Sequence, residues 1–155
     1  MLKKNGFEVI KCDRLNRDTI SAYVRKNKMH DLSSLKHNFN KLNASFRQYV
    51  DQVKAQKGTV AIWGASHQGF TILSTAELGE KIDYIIDSAP FKQGKYSPAT
   101  HIPIISPNYF FEKKADAIII VAPGYSEEIY RTIKEMYGPD VRIAILRSEN
   151  LEILK

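Results

Sequence analysis

The residue types richest in chemistry stand in Gly64-Ala65-Ser66-His67-Gln68-Gly69 and in the stretch from Asp87 to Tyr96. The first is a glycine-bounded loop between an apolar run and a helix-like segment. Such a loop turns backbone N–H groups toward the front of a helix, where partial positive charge favours a phosphate. Ser66 and His67 add a hydroxyl and an imidazole that can donate to the same oxygens. Asp87 ends a second apolar run eighteen residues after Gly69, where a carboxylate can accept hydrogen bonds from a ribose. Ser88, Lys92, Lys95 and Tyr96 follow in a polar loop, with two cations for anionic oxygens and one ring to stack or hydrogen-bond. Gly124 and Tyr125 open onto the same edge. The chemistry this set can do is to hold a nucleotide.

The loop narrows the choice of ligand. Against G-x-G-x-x-G, Gly64 and Gly69 match, but Ser66 replaces the glycine that lets a pyrophosphate approach the backbone closely. A nucleotide or nucleotide-sugar phosphate therefore fits better than a dinucleotide, and a tight turn without ligand stays open. Ser66 can also cap the helix. A G-x-S-x-G nucleophile elbow is not present, because Gln68 stands where its second glycine belongs. His30 and His37 are about two helical turns apart, roughly 10.5 Å, too far to share a metal. His101 precedes a buried-looking strand and reads as structural. No metal site is expected.

These residues need strands and helices to position them. From residue 58 the pattern alternates: strands at 60–63, 82–86, 102–105, 117–121 and 141–146, helices at 67–78 and 126–137, and a short helix opened by Pro107. That order predicts a Rossmann-like parallel sheet of about five strands with flanking helices. Residues 6–14 and 19–25 read as the strands of a hairpin turning over 15–18. Leu35, Phe39, Leu42, Phe46, Tyr49 and Val53 recur at steps of three and four, an apolar stripe on one long helix over 33–56. Gly58 and Gly79 are the expected left-handed stops of the two helices before them.

A length of 155 residues, with 43% apolar and 26% charged residues, suits one globular domain with an appendage. Residues 1–57 carry 13 Lys/Arg against 5 Asp/Glu, a net +8, whereas 58–155 carry 10 against 12, a net −2. The basic excess belongs to the hairpin and long helix, as a solvated face or a docking face for an acidic partner. No nucleic-acid or membrane partner is expected. A single cysteine, Cys12, and the lack of an apolar leader are compatible with a cytoplasmic protein.

In this order the motifs resemble the C-terminal domain of the sugar C-methyltransferases, S-adenosylmethionine-dependent enzymes acting on nucleotide-linked deoxysugars. The segment from Asp87 to Ile104, DSAPFKQGKYSPATHIPI, is similar nearly residue by residue to the family's D-x-S-P-x-K-Q-G-x-x-x-P-G-T-x-I-P-I. It departs at Ala99, where the family usually has glycine. Ala122 to Ile129, APGYSEEI, resembles A-W-N-Y-x-x-E-I, keeping Tyr125 and Glu128 but replacing the Trp-Asn pair with Pro123-Gly124. Residues 5–26 resemble the closing strand pair of the family's methyltransferase domain, with Arg17-Asp18-Thr19-Ile20 in place of H-G-G-S.

The resemblance implies three parts: a hairpin over 1–28 from the end of a methyltransferase domain, a linker helix over 29–57, and the Rossmann-like C-terminal domain over 58–155. It implies deoxysugar biosynthesis, with a nucleotide-sugar held by residues 64–69, Asp87, Ser88, Lys92, Tyr96 and Tyr125. The zinc segment, methyl-donor loop and catalytic cluster of the family lie upstream of its closing strands, so no catalytic residue is assigned here. S-adenosylmethionine is expected in the full enzyme and not on this chain, which alone is expected to be inactive. Its expected partner is an upstream methyltransferase domain or chain, with a homodimer through the helix stripe as a further possibility. The competing readings are a non-enzymatic nucleotide-binding or scaffold module docking through the basic helix, and an NAD-dependent oxidoreductase domain. Ser66 and the lack of a substrate domain count against the last.

Overall fold

Apolar runs without polar alternation need cover on both faces, and this chain supplies it with helices on either side of one sheet. The computed structural model describes residues 2–15, 19–26, 33–148 and 150–154. They form two units, one ending at Lys36 and one beginning at His37. The hairpin connector at 16–18, His30 and the start of the linker at 29–32 lie outside the described residues.

The first unit is the expected hairpin. β1 (Phe7–Arg14) pairs antiparallel with β2 (Ile20–Lys26), with Cys12 opposite Ala22 and an irregularity between Val9 and Lys11. Neither strand has a fully buried residue, and Ile10, Ile20 and Tyr23 are exposed.

In the second unit, β3 (Val60–Trp63), β4 (Tyr84–Ile86), β5 (Ile104–Ile105), β6 (Ala117–Ile120) and β7 (Arg142–Leu146) run parallel. A sixth strand, β8 (Leu151–Leu154), joins β7 antiparallel, giving the order β5-β4-β3-β6-β7-β8. Alternate side chains divide the core. Val60, Ile62, Ile85 and Ile119 face Phe46, Val50 and Val53 of α1 (Ser33–Ala55) and Leu73 of α2 (His67–Thr75). Trp63, Tyr84, Ile118 and Ile120 face Phe110 of the 3₁₀ helix Pro107–Phe111 and Ile133 of α3 (Ser126–Tyr137). The predicted Rossmann-like α/β architecture is therefore present, with one more strand than the five expected.

Two details differ from expectation, and a third adds to it. First, the stripe on α1 is covered only in its later part: Phe46, Tyr49 and Val53 are buried, while Leu35 and Phe39 remain exposed. Second, the helix stops are not made by the glycines. Lys57 (φ 58°) and Glu77 (φ 55°) take the left-handed conformation. Lys57 N–H bonds Lys54 O and Gly58 N–H bonds Val53 O, while Glu77 N–H bonds Ser74 O and Leu78 N–H bonds Leu73 O. Both pairs are the double bond of a Schellman stop. Glycine is needed at 58 for space, since a Cβ there would lie 2.7 Å from Val53 Cγ1. Third, α3 is tied down at its far end. Tyr137 stacks on Phe110 at 3.6 Å between ring centroids and donates its hydroxyl to Pro107 O at 2.5 Å. Burial pushes the Tyr137 hydroxyl up to about 12.

Among the described residues no helix is long and apolar enough to cross a membrane.

Candidate functional site

The strand order reverses beside β3: β4 and β5 build outward on one side, β6 and β7 on the other. Loops leaving the carboxyl ends of β3 and β6 must then part, and ligands of open α/β sheets sit in that crevice. A cleft of about 620 Å³ opens there. Its floor is Trp63, Gly64, Ser66, His67 and Gln68; one wall is Asp87, Ser88, Ala89 and Lys92; the other runs from Ala122 to Tyr125 with Glu128 and Ile129.

Gly64 makes the parting possible. Its φ is +120°, and a Cβ on it would lie 2.6 Å from Val121 O. Ser66 caps α2, accepting the Gly69 N–H at 3.2 Å on Oγ. Gly69 is buried beneath the loop, where a Cβ would meet Gly64 O at 2.7 Å, and it does not line this cleft.

The expected phosphate cradle is shortened by the protein's own carboxylate. Asp87 Oδ2 accepts the Ala65 N–H at 2.9 Å and Lys92 Nζ at 3.0 Å, and Oδ1 accepts the Ala89 N–H at 2.9 Å. The Gly64 N–H goes to Ile86 O and the Ser66 N–H to Gly64 O. Of the amides at 64–68, those of His67 and Gln68 alone lack a protein acceptor among the described residues, as the first two amides of a helix do by construction. Asp87 therefore braces the loop, and three of its roughly four acceptor positions are already taken by the protein. Lys92 is held likewise, donating to Ala65 O at 2.9 Å as well as to Asp87.

Tyr96 does not enter this cleft. With Ala65, Phe70, Phe91 and Lys95 it lines a second hollow of about 490 Å³, which shares Ser66, His67 and Lys92 with the first. The structure thus brings Gly64, Ser66, His67, Gln68, Asp87, Ser88, Lys92 and Tyr125 together, and sets Ala65 and Tyr96 behind the Lys92 strut. Sequence reasoning overlooked Trp63 and Ile129 as lining residues. Trp63 ends a strand and Ile129 follows Tyr125 by one helical turn, so the rule for strand carboxyl ends could have found both.

Fold and cleft together define a Rossmann-like α/β domain with its opening at the switch point. The chain belongs to the C-methyltransferase C-terminal domain family, whose sequence profile matches residues 18–146. It is 34% identical over 96 residues to the C-methyltransferase NovU of Streptomyces niveus, a match covering 61% of this chain and 23% of that protein. Among solved structures it resembles UDP-D-quinovosamine 4-dehydrogenase from Vibrio fischeri, at 13% identity and a TM-score of 0.48, covering 63% of this chain and 93% of that one.

Proposed function

We propose that this chain is the nucleotide-sugar-binding part of an S-adenosylmethionine-dependent C-methyltransferase that acts on a keto-deoxysugar. The observation that carries the reading is the wall from Asp87 to Lys92. The segment that most resembles the family's motif is the one whose side chains fix the cleft. The first cleft takes the ligand's sugar end, with Ser88, Tyr125 and Glu128 offering polar atoms. His67 and Gln68, at the start of α2, face its phosphates.

S-adenosylmethionine supplies the methyl group when a methyltransferase domain holds it. Asp87, the acid that would meet a ribose in the Rossmann manner, already accepts from Ala65, Ala89 and Lys92 and keeps about one acceptor position for an adenosyl group. No step of the transfer is assigned to this chain's residues, and the same observation counts against an NAD site. In this reading residues 1–28 close the sheet of a methyltransferase domain, 29–57 link, and 58–155 bind. The exposed strands of the hairpin fit a piece that another surface covers.

A second reading draws on the exposed Leu35 and Phe39 of α1: a scaffold that docks a partner or a second copy through that stripe. Titration calorimetry of the 155-residue chain with a nucleoside diphosphate sugar separates the two. Heat with one-to-one stoichiometry supports the binding role. Absence of heat and of any amide shift at millimolar ligand, with a dimer by light scattering, supports the scaffold.

A further inference from the structure

A nucleoside diphosphate sugar has three chemically distinct parts: a flat aromatic base, a doubly charged linker and a polyhydroxyl ring. The two hollows divide along the same lines. Resting on the binding role proposed above, we infer that the base sits in the second hollow, against Phe91 and Tyr96, while the sugar occupies the first and the diphosphate crosses between them.

The second hollow carries two exposed rings, Phe91 and Tyr96, where the first carries one, Tyr125. Phe91 is 71% exposed and Tyr96 64%, so neither ring serves the core. Rings exposed together beside a hollow are the usual platform for a base, because every base has a π-face to stack. The backbone under them is braced before any ligand arrives. Gly94 N–H bonds Ile104 O at 2.8 Å, Ile104 N–H bonds Lys95 O at 2.8 Å, and Ser97 N–H bonds Ile102 O at 2.9 Å. Ser97 is itself buried, its Oγ accepting the Ile102 N–H at 2.9 Å and lying 2.6 Å from Thr100 Oγ1. Rings presented on a fixed backbone lose little freedom on binding.

Two lysines stand at or beside the passage between the hollows. Lys92, shared by both, has its Nζ 5.8 Å from the Phe91 ring centroid. Asp87 neutralises Lys92, whereas Lys95 at the rim has no ion-pair partner within 4.0 Å among the described residues and is the cation left for a phosphate. His67, also shared, is exposed at the crossing.

The test uses the full chain with uridine and thymidine diphosphates as sugar-free probes, followed by saturation-transfer NMR and calorimetry. Saturation of the base protons should be strong, and Phe91→Ala and Tyr96→Ala should each weaken the diphosphates about tenfold. Tyr96→Phe should restore binding, because stacking needs the ring and not the hydroxyl. Both side chains are exposed, so the variants fold, which thermal melts check. If F91A and Y96A bind the diphosphates like wild type while Tyr125→Ala weakens them, the base lies in the first hollow; the inference fails and the binding role stands. If neither the diphosphates nor their sugar conjugates bind at millimolar concentration, the binding role fails and takes the inference with it.

Discussion

The two walls of the cleft are built by opposite means. The wall after β4 is braced throughout: Asp87 ties Ala65, Ala89 and Lys92, and Gln93 Nε2 donates to Asp87 O at 3.0 Å. The wall after β6 has little of this. Pro123, Gly124 and Tyr125 are exposed, with Tyr125 N–H to Ala122 O and Ser126 Oγ to Ala122 O as its near ties. The α3 helix that follows is fastened at its distant end, through Tyr137. The braced wall carries the closest resemblance to the family's pattern, and the open wall departs from it at two adjacent positions. A fixed wall sets the position of a ligand. An open wall can change with the ligand at Pro123, Gly124 and Tyr125, which are exposed, while Ala122 and Ile129 stay packed on the core.

The largest effect should come where both walls meet. Gly64 gives its N–H to Ile86 O at the end of β4 and leaves no room for a Cβ beside Val121 O at the end of β6. Gly64→Ala combines backbone strain at φ +120° with a contact of 2.6 Å against a backbone oxygen that cannot swing away. Together these should cost about 3 kcal/mol or more, read as a fall in the urea midpoint. A midpoint near wild type would show that β3 and β6 separate easily, and the comparison of walls would lose its hinge.

Asp87→Ala tests the braced wall alone. It strips the Ala65 and Ala89 amides of their acceptor and leaves Lys92 with Ala65 O alone. Lys92 is about one-third exposed and regains water, so the loss comes mainly from Ala65 and Ala89. A cost of about 2 kcal/mol is expected, with faster amide exchange over residues 87–98. Unchanged exchange there would mean that Gly94, Ser97 and Ile104 hold the wall without it.

How far these features can be read in the sequence depends on how local their cause is. The strand, loop and helix from Val60 to Thr75 are legible, since apolar run, glycine and capping serine sit side by side. So is the placing of the cleft, which follows from strand order. β8 is not: Leu151–Leu154 is four residues with no alternation to mark it, and its register depends on β7. Asp87 shows the limit most clearly. Its spacing from Gly69 marks a ribose-binding acid, but no spacing reveals that Ala65 N–H and Lys92 lie close enough to occupy it. Lys57 and Glu77 teach the same lesson for turns, because a glycine one or two residues on draws the assignment away from them.

Ala99 and Gly124 are two positions where the resemblance to the family's pattern breaks, the first beyond the braced wall and the second in the open one. Ala99 has φ 62°, the left-handed region, in the place where the family usually has glycine. An L-residue there costs about 1–2 kcal/mol, against roughly 0.5–1 kcal/mol of extra chain entropy lost by a glycine on folding. Ala99→Gly should therefore stabilise the chain by about 0.5–1 kcal/mol. A loss on substitution would mean that the methyl packs usefully, which would reverse the reading of that position.

Gly124 is the opposite case and should show the smallest effect on stability. Its φ is outside the left-handed region, and a Cβ built on it meets nothing within 4 Å. The backbone thus gives no reason for glycine here, and Gly124→Asn, restoring the family's residue, should move stability by no more than about 0.5 kcal/mol. The new amide would project from a residue that lines the first cleft, where its donors and acceptor can meet a sugar hydroxyl. Binding of a nucleoside diphosphate sugar should change measurably while the melting midpoint does not. A clear loss of stability with unchanged affinity would show that the open wall bears structural load after all, and would erase the distinction between the two sides of the cleft.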